Sequence, residues 1–248
     1  MVDFVIQLGS HKVGVSCQFP CTRTYCTGYL TEGPETMHVE IQPEDLYAER
    51  LRAMEEARVE GREYKTIPPY GLEHLAVYRK IADKMLEHDT LLFHGSVISV
   101  DGEGYLFTAL SGTGKSTHTR LWRELFGDRA VMVNDDKPLL RITQDRVYVC
   151  GSPWNGKHCL GTNMEVPLKG LCILTRAEEN SIVPVEPLEA MPVLLQQCHR
   201  PKDPAAMSKV LELLNKLSTR TGLYRLGCNM DPEAAVVAYN GMNRKENT

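Results

Sequence analysis

Ala109-Leu110-Ser111-Gly112-Thr113-Gly114-Lys115-Ser116-Thr117 is a glycine-rich loop that ends in Lys-Ser, and its reading decides the fold. Without Cβ atoms, Gly112 and Gly114 let successive backbone N–H groups turn inward, which forms an anion nest at a helix N-terminus. In that geometry Lys115 meets the β- and γ-phosphates of a nucleotide, and the Ser116 hydroxyl ligates Mg²⁺. The spacing therefore predicts nucleotide contacts along Ser111, Gly112, Thr113, Gly114, Lys115, Ser116 and Thr117.

Residues 105–109 are short, aromatic and apolar and predict a strand, whereas residues 117–126 place apolar side chains at helical intervals and stop at Gly127. Strand, loop and helix follow one another in the order a phosphate-binding loop requires. Ala109 stands where the G-x-x-x-x-G-K-[ST] pattern has its first glycine. Alanine is the smallest substitution there, and the nest lies later in the loop.

Downstream, Ala130-Val131-Met132-Val133 is an apolar strand that ends in Asn134-Asp135-Asp136. A sheet edge delivers carboxylates to a Mg²⁺-phosphate site in this way. Neighbouring side chains of an extended segment point to opposite faces, so one aspartate can serve a metal while the other reaches an acceptor hydroxyl. Which one is the base stays open, and an Asn-Asp-Asp turn after a buried strand is the plain alternative. Upstream, residues 91–100 predict one continuous strand and Asp101-Gly102-Glu103-Gly104 a turn, a hairpin that leads into the loop. It carries His94 to the loop end of the hairpin, either as a core histidine or as a member of the site.

His94-Gly95, the hairpin, Ser111-Gly112-Thr113-Gly114-Lys115-Ser116 and Asn134-Asp135-Asp136 together resemble the core shared by HPr kinase/phosphorylase and phosphoenolpyruvate carboxykinase. The resemblance covers about residues 90–200, and its specificity lies in the combination. It implies that Lys115 binds phosphates, Ser116 ligates metal, Asp135 and Asp136 serve metal and acceptor, and His94 is the family's upstream histidine. Thr117 follows the loop serine as in the carboxykinases, where HPr kinases carry Glu. At the acceptor side an Arg-Gly-rich signature is replaced by Gly151-Ser152-Pro153-Trp154-Asn155-Gly156-Lys157-His158. Trp154, Asn155, Lys157 and His158 are accordingly candidate acceptor contacts, with a structural turn around Pro153 and Gly156 as the alternative.

Rival nucleotide enzymes fit less well. A regulatory GTPase needs Asp-x-x-Gly and Asn-Lys-x-Asp, which neither Asp135-Asp136-Lys137-Pro138 nor Asn215-Lys216-Leu217-Ser218 supplies. A carboxykinase carries a large N-terminal domain, whereas fewer than a hundred residues precede this core.

The chain has 248 residues, 42% apolar composition and a net charge of −4, enough for an ordinary core and without the basic footprint of nucleic-acid binding. The N-terminus carries Asp3 early and no long apolar run, so no membrane span is expected and the cytoplasm is the expected location. Cys17, Cys21 and Cys26 lack zinc-knuckle spacing, and the other five cysteines are dispersed; no disulfides are expected.

Residues 1–42 read as short strands, 44–60 as a highly charged helix and 72–87 as a packing helix, giving a small N-terminal α+β portion over 1–88. Residues 89–248 form the kinase-like core. Within it, residues 166–174 predict a strand interrupted early by Pro167 and leading to Arg176, which faces either phosphate or the surface pairs offered by Glu178 and Glu179. Pro187, Pro204 and Pro232 mark the first turns of three further helices.

The expectation is an α/β protein with a carboxykinase/HPr-kinase-like P-loop core and a mixed sheet. Its expected activity is Mg²⁺-dependent transfer of phosphoryl from ATP, or another nucleotide, to a hydroxyl of a small molecule or a serine side chain. A protein-serine kinase/phosphorylase and a non-catalytic nucleotide-binding module remain as alternatives. The sequence leaves the acceptor, the base preference and a homo-oligomer open.

Overall fold

A computed structural model describes residues 1–110 and 112–244 of the chain, which adopt a mixed α/β arrangement. Ser111, one of the expected phosphate contacts, lies outside the described residues. The chain divides into two units, Met1–Lys84 and a second from Met85 onward.

In the first unit, β1 (Val2–Leu8) and β2 (His11–Cys17) form a hairpin in which Phe4, Ile6 and Leu8 alternate inward. After α1 (Pro20–Tyr25), β3 (Leu30–Thr31) and β4 (Met37–Glu40) complete a sheet of order β3-β1-β2-β4. Helices α2 (Pro43–Val59) and α3 (Pro69–Met85) follow. The charged helix α2 starts at a capping box between Gln42 and Asp45. Its buried Glu49 accepts hydrogen bonds from Arg52 and Arg79, each at 2.8 Å. Helix α3 buries Leu72, Val77 and Ile81, which lie on more than one of its sides.

The second unit runs β5 (Thr90–Leu92), β6 (Ser96–Val100), β7 (Glu103–Thr108), α4 (Lys115–Phe126), β8 (Ala130–Asn134), β9 (Leu139–Ile142), β10 (Val147–Cys150) and β11 (Glu165–Arg176). It ends with β12 (Ser181–Pro184), α5 (Pro187–Gln197), α6 (Pro204–Arg220), β13 (Gly222–Cys228) and α7 (Glu233–Asn243). The strands pair in the order β5-β9-β10-β11-β7-β6-β8, and β13 joins both β11 and β12. Period-two alternation sorts side chains onto two faces. Leu106, Leu171 and Ile173 pack with Leu194, Leu213 and Leu217 of α5 and α6. Phe107, Cys172 and Leu174 pack with Leu121 and Trp122 of α4 and with Ala235 and Ala238 of α7.

Three local expectations are corrected. Residues 91–100 are not one strand: the chain leaves β5 after Leu92 and enters β6 at Ser96. The intervening amides bond outside the strand ladders, with Phe93 N–H donating to Pro138 O at 3.0 Å, His94 N–H to Gln197 O at the end of α5 at 2.7 Å and Gly95 N–H to Asp136 O at 3.1 Å. A Cβ at Gly95 would stand 3.1 Å from Phe107 O and 3.2 Å from a Leu106 methyl, so a larger residue there would push on both. Pro167 does not interrupt β11, which runs on from Glu165 to Arg176: it pairs with Tyr148 of β10, before the ladder with β7 begins at Leu168. Pro232 caps α7 from outside the helix, which starts at Glu233.

Strand directions gather one edge. β7 and β8 are both antiparallel to β6, and β7, β11 and β13 are mutually parallel along β11. The carboxyl ends of β7, β8, β11 and β13 therefore lie at the same edge, as does the start of β6. The glycine loop, Asp135-Asp136, Arg176, Cys228-Asn229 and His94-Gly95 are delivered there together.

Candidate active site

The loop between β7 and α4 takes a backbone that only glycine adopts readily. Gly112 has φ of 76° and Gly114 φ of 120°, in open space with nothing within 4 Å of an added Cβ. Conformation, not crowding, selects glycine at both positions. Gly114 caps α4, and Lys115 is the first helical residue. The Lys115 ammonium donates to Ala109 O at 3.1 Å, folding the side chain back over the loop. Burial lowers the Lys115 pKa; Asp136 opposes that shift and Lys137 adds to it.

The two aspartates diverge. Asp135 is buried, and its Oδ1 accepts Gly156 N–H at 2.6 Å. Asp136 Oδ1 lies 3.3 Å from His94 Nε2 and 3.4 Å from Lys137 Nζ. Burial alone would raise the Asp136 pKa, but the His94 hydrogen bond and the charges of Lys137 and His94 outweigh it and hold the carboxyl below its usual range. The bend between β5 and β6 brings His94 to Asp136, while Thr108 Oγ1 at the end of β7 donates to His94 O at 3.0 Å.

A buried bracket that sequence reasoning gave no role holds the backbone of Asp136 and Lys137. Asn134 Oδ1 accepts from Asp136 N–H at 2.8 Å and Lys137 N–H at 2.6 Å. Its Nδ2 donates to Ser152 O at 3.0 Å, and Ser152 Oγ donates to Lys137 O at 2.6 Å. Asn134 and Ser152 are fully buried. The signal was present in Asn134-Asp135-Asp136, since Asn commonly bonds its own backbone two residues on, but the partner at Ser152 is eighteen residues away.

Besides a cavity of about 610 Å³ lined by Ala109, Leu110, Thr113, Gln196 and Arg225 among others, two pockets adjoin the loop and the start of α4. One, of about 500 Å³, is lined by Gly112, Gly114, Thr117, His118, Arg176 and Asn229. Arg176 Nη2 donates to Gly112 O at 2.7 Å and so braces the loop. Trp122 Nε1–H donates to His118 Nε2 at 3.0 Å, and burial pushes the His118 pKa down to about 4, so the ring is neutral with its proton on Nδ1. The other pocket, of about 260 Å³, is lined by Ser116, Arg120, Arg123, Asp135 and His158 among others.

Of the candidate acceptor contacts, His158 lines the pocket beside Asp135. Trp154 is buried and its carbonyl accepts from Asn134 Nδ2 at 3.4 Å. Asn155 Nδ2 turns back to Ser152 O at 3.2 Å, and Lys157 is exposed. The segment 151–158 thus braces the aspartates more than it walls a pocket. Ser116 and Asp135 meet in one pocket, but no group of three or more His, Cys, Asp or Glu side chains that could hold a metal ion occurs among the described residues. Two side-chain oxygens suit Mg²⁺, which usually takes one or two protein oxygens and completes its shell with phosphates and water. The eight cysteines are free thiols.

Residues 72–234, about two thirds of the chain, match the family described as SynChlorMet cassette protein ScmC. The chain belongs to the ScmC family. The matched span of this ScmC-family chain contains the whole site, from His94 to Asn229. No curated protein matches it. Among solved structures it is similar to the Hpr(Ser) kinase/phosphatase from Coxiella burnetii, at 14% identity over 60% of this chain and 94% of that one. The TM-score of 0.35 is too low to argue from. No helix among the described residues is long and apolar enough to cross a membrane.

Proposed function

We propose that this ScmC-family protein is a Mg²⁺-dependent kinase that transfers phosphoryl from ATP, or another nucleoside triphosphate, to a hydroxyl of a small molecule or a serine side chain. The observation that carries the reading is the divergence of the two aspartates beside the glycine loop. Asp136 pairs with His94 at 3.3 Å within the field of Lys115, and Asp135 shares a pocket with Ser116.

In this reading the amides around Gly112 and Gly114, with Lys115, hold the phosphates, and the pocket lined by Thr117 and His118 takes the nucleoside. Its volume of about 500 Å³ lies within the range of small-ligand sites. Ser116 and Asp135 would hold Mg²⁺, which when bound neutralises charge on the β- and γ-phosphates. Asp136, kept ionised by His94 and Lys137, orients the acceptor hydroxyl and takes up its proton as the oxygen attacks the γ-phosphorus. The bond to the β,γ-bridging oxygen breaks and the nucleoside diphosphate leaves. Lys115 faces the charge that shifts to the bridging and γ-oxygens. Positioning and charge neutralisation supply most of the acceleration in such a step.

Single substitutions separate the two carboxylates. Asp136→Asn is expected to lower kcat by about a hundredfold or more, the range of a lost general base, while leaving Mg²⁺-dependent nucleotide affinity near wild type. Asp135→Asn is expected to weaken that affinity as well. Turnover assays paired with nucleotide titrations with and without Mg²⁺ read both outcomes, and normal turnover in both variants would overturn the assignment.

A further inference from the structure

Lys137 follows the two aspartates, and its backbone is held on both sides: its N–H donates to Asn134 Oδ1 and its C=O accepts from Ser152 Oγ, each at 2.6 Å. The side chain that leaves this anchored point is 25% exposed, so its ammonium is open to a ligand. Its Nζ lies 3.4 Å from Asp136 Oδ1, the same oxygen that His94 Nε2 approaches at 3.3 Å. Both approaches fall on Oδ1, which leaves Oδ2 for an acceptor hydroxyl. The Lys115 ammonium stands within the field of both neighbours, Asp136 raising its pKa and Lys137 lowering it. One carboxylate is therefore shared by two ammonium groups and an imidazole. An ammonium carries three N–H donors. Asp136 takes one of those of Lys137, and no other residue among the described ones takes the rest.

We infer that Lys137 bridges Asp136 and the γ-phosphoryl group of the bound nucleotide, giving one N–H to the carboxylate and another to a γ-oxygen. The inference rests on the kinase reading, which sets an anionic phosphoryl group one acceptor hydroxyl away from an ionised carboxylate. Two anions at that separation repel, and more strongly inside a protein than in bulk water. A cation held between them offsets the repulsion. Lys115, folded over the glycine loop, meets the phosphates from the β-phosphate side, whereas Lys137, on the aspartate turn, meets the γ-phosphoryl group from the acceptor side. The nucleoside diphosphate left after transfer carries no group on that side. Lys137 therefore favours the triphosphate over the diphosphate, which an ion pair that only positioned Asp136 would not do.

Calorimetric titration of ADP and of a β,γ-imido ATP analogue, each with Mg²⁺, on the wild-type protein and on Lys137→Met tests this. The analogue is expected to bind the variant about tenfold or more weakly than the wild type, the scale of one charge-assisted hydrogen bond, with ADP affinity unchanged. Lys137→Arg, which keeps the charge, is expected to recover most of the loss, and Lys137→Gln takes the place of Lys137→Met should that variant fail to fold. Because the contact belongs to Lys137 itself, a loss is also expected when Lys137→Met is made in an Asp136→Asn background. Unchanged analogue affinity, an equal loss for both nucleotides, a Lys137→Arg protein as weak as Lys137→Met, or a loss confined to proteins that retain Asp136 would overturn the inference and leave the kinase reading standing. Binding of neither nucleotide by the wild type would overturn both.

Discussion

At the scale of single residues, the account rests on side chains whose environments are unequal. Lys115 has its pKa lowered by burial, with Asp136 opposing and Lys137 reinforcing the shift. Bound phosphates favour the ammonium and raise that pKa again. Between the lowered and the raised value, nucleotide binding is expected to take up a proton, and the apparent Kd to rise as pH climbs through the lowered value towards the ordinary lysine range. Calorimetry in buffers of different ionisation enthalpy measures this uptake directly. Its absence throughout that range would separate Lys115 from the phosphates. Asp136 has the opposite linkage. A carboxyl held below its usual range contributes stability that is present above the unfolded pKa and is lost as pH falls through the folded one. Asp136→Asn should accordingly flatten the acid side of the stability profile. Asn134, buried and bonded to the amides of Asp136 and Lys137, fixes the turn that carries Asp136. Asn134→Ala leaves those two amides without their acceptor and is expected to cost about 2 kcal/mol or more in urea unfolding, with a parallel loss of activity.

At the scale of elements, strand ends position the chemistry, and their legibility in the sequence varied with how local the cause was. The strand, loop and helix around Lys115 were readable because each is set by nearby residues: an apolar run, two glycines with positive φ, and a helix that stops at Gly127. The division of 91–100 into β5 and β6 was not readable, since it depends on Pro138, Gln197 and Asp136 accepting the three amides of the bend. Those partners are remote in sequence. The same holds for the pairing of Asn134 with Ser152 and for Arg176, whose partner Gly112 lies sixty-four residues away. In the first unit, α1 lacks a side-chain cap of its own. Glu73 of α3 takes that role: its carboxylate is fully buried and accepts the N–H groups of Gln18 and Phe19 and the Thr22 hydroxyl at 2.5 Å. Glu73→Gln replaces a charged acceptor by a weaker one and adds a donor with nowhere to point. It is expected to cost about 1–3 kcal/mol of stability, read by denaturant titration. Because Glu73 lies in the unit that ends at Lys84, while the site residues belong to the other, nucleotide affinity should change little in the folded variant.

At the scale of the whole molecule, one sheet edge collects the glycine loop, the paired aspartates, His94 and Arg176, with pockets on either side of the loop. The central claim is that phosphoryl leaves a nucleotide at this edge and that Lys115 is indispensable to the step. Turnover of γ-labelled ATP with Mg²⁺, by wild-type protein and by Lys115→Ala of verified fold, tests it most directly. The account predicts transfer or hydrolysis by the wild type and at least a hundredfold loss, on the order of 3 kcal/mol of barrier, in the variant. Equal turnover by the two proteins, or none by the wild type with or without a panel of small-molecule and serine-peptide hydroxyl acceptors, would contradict it.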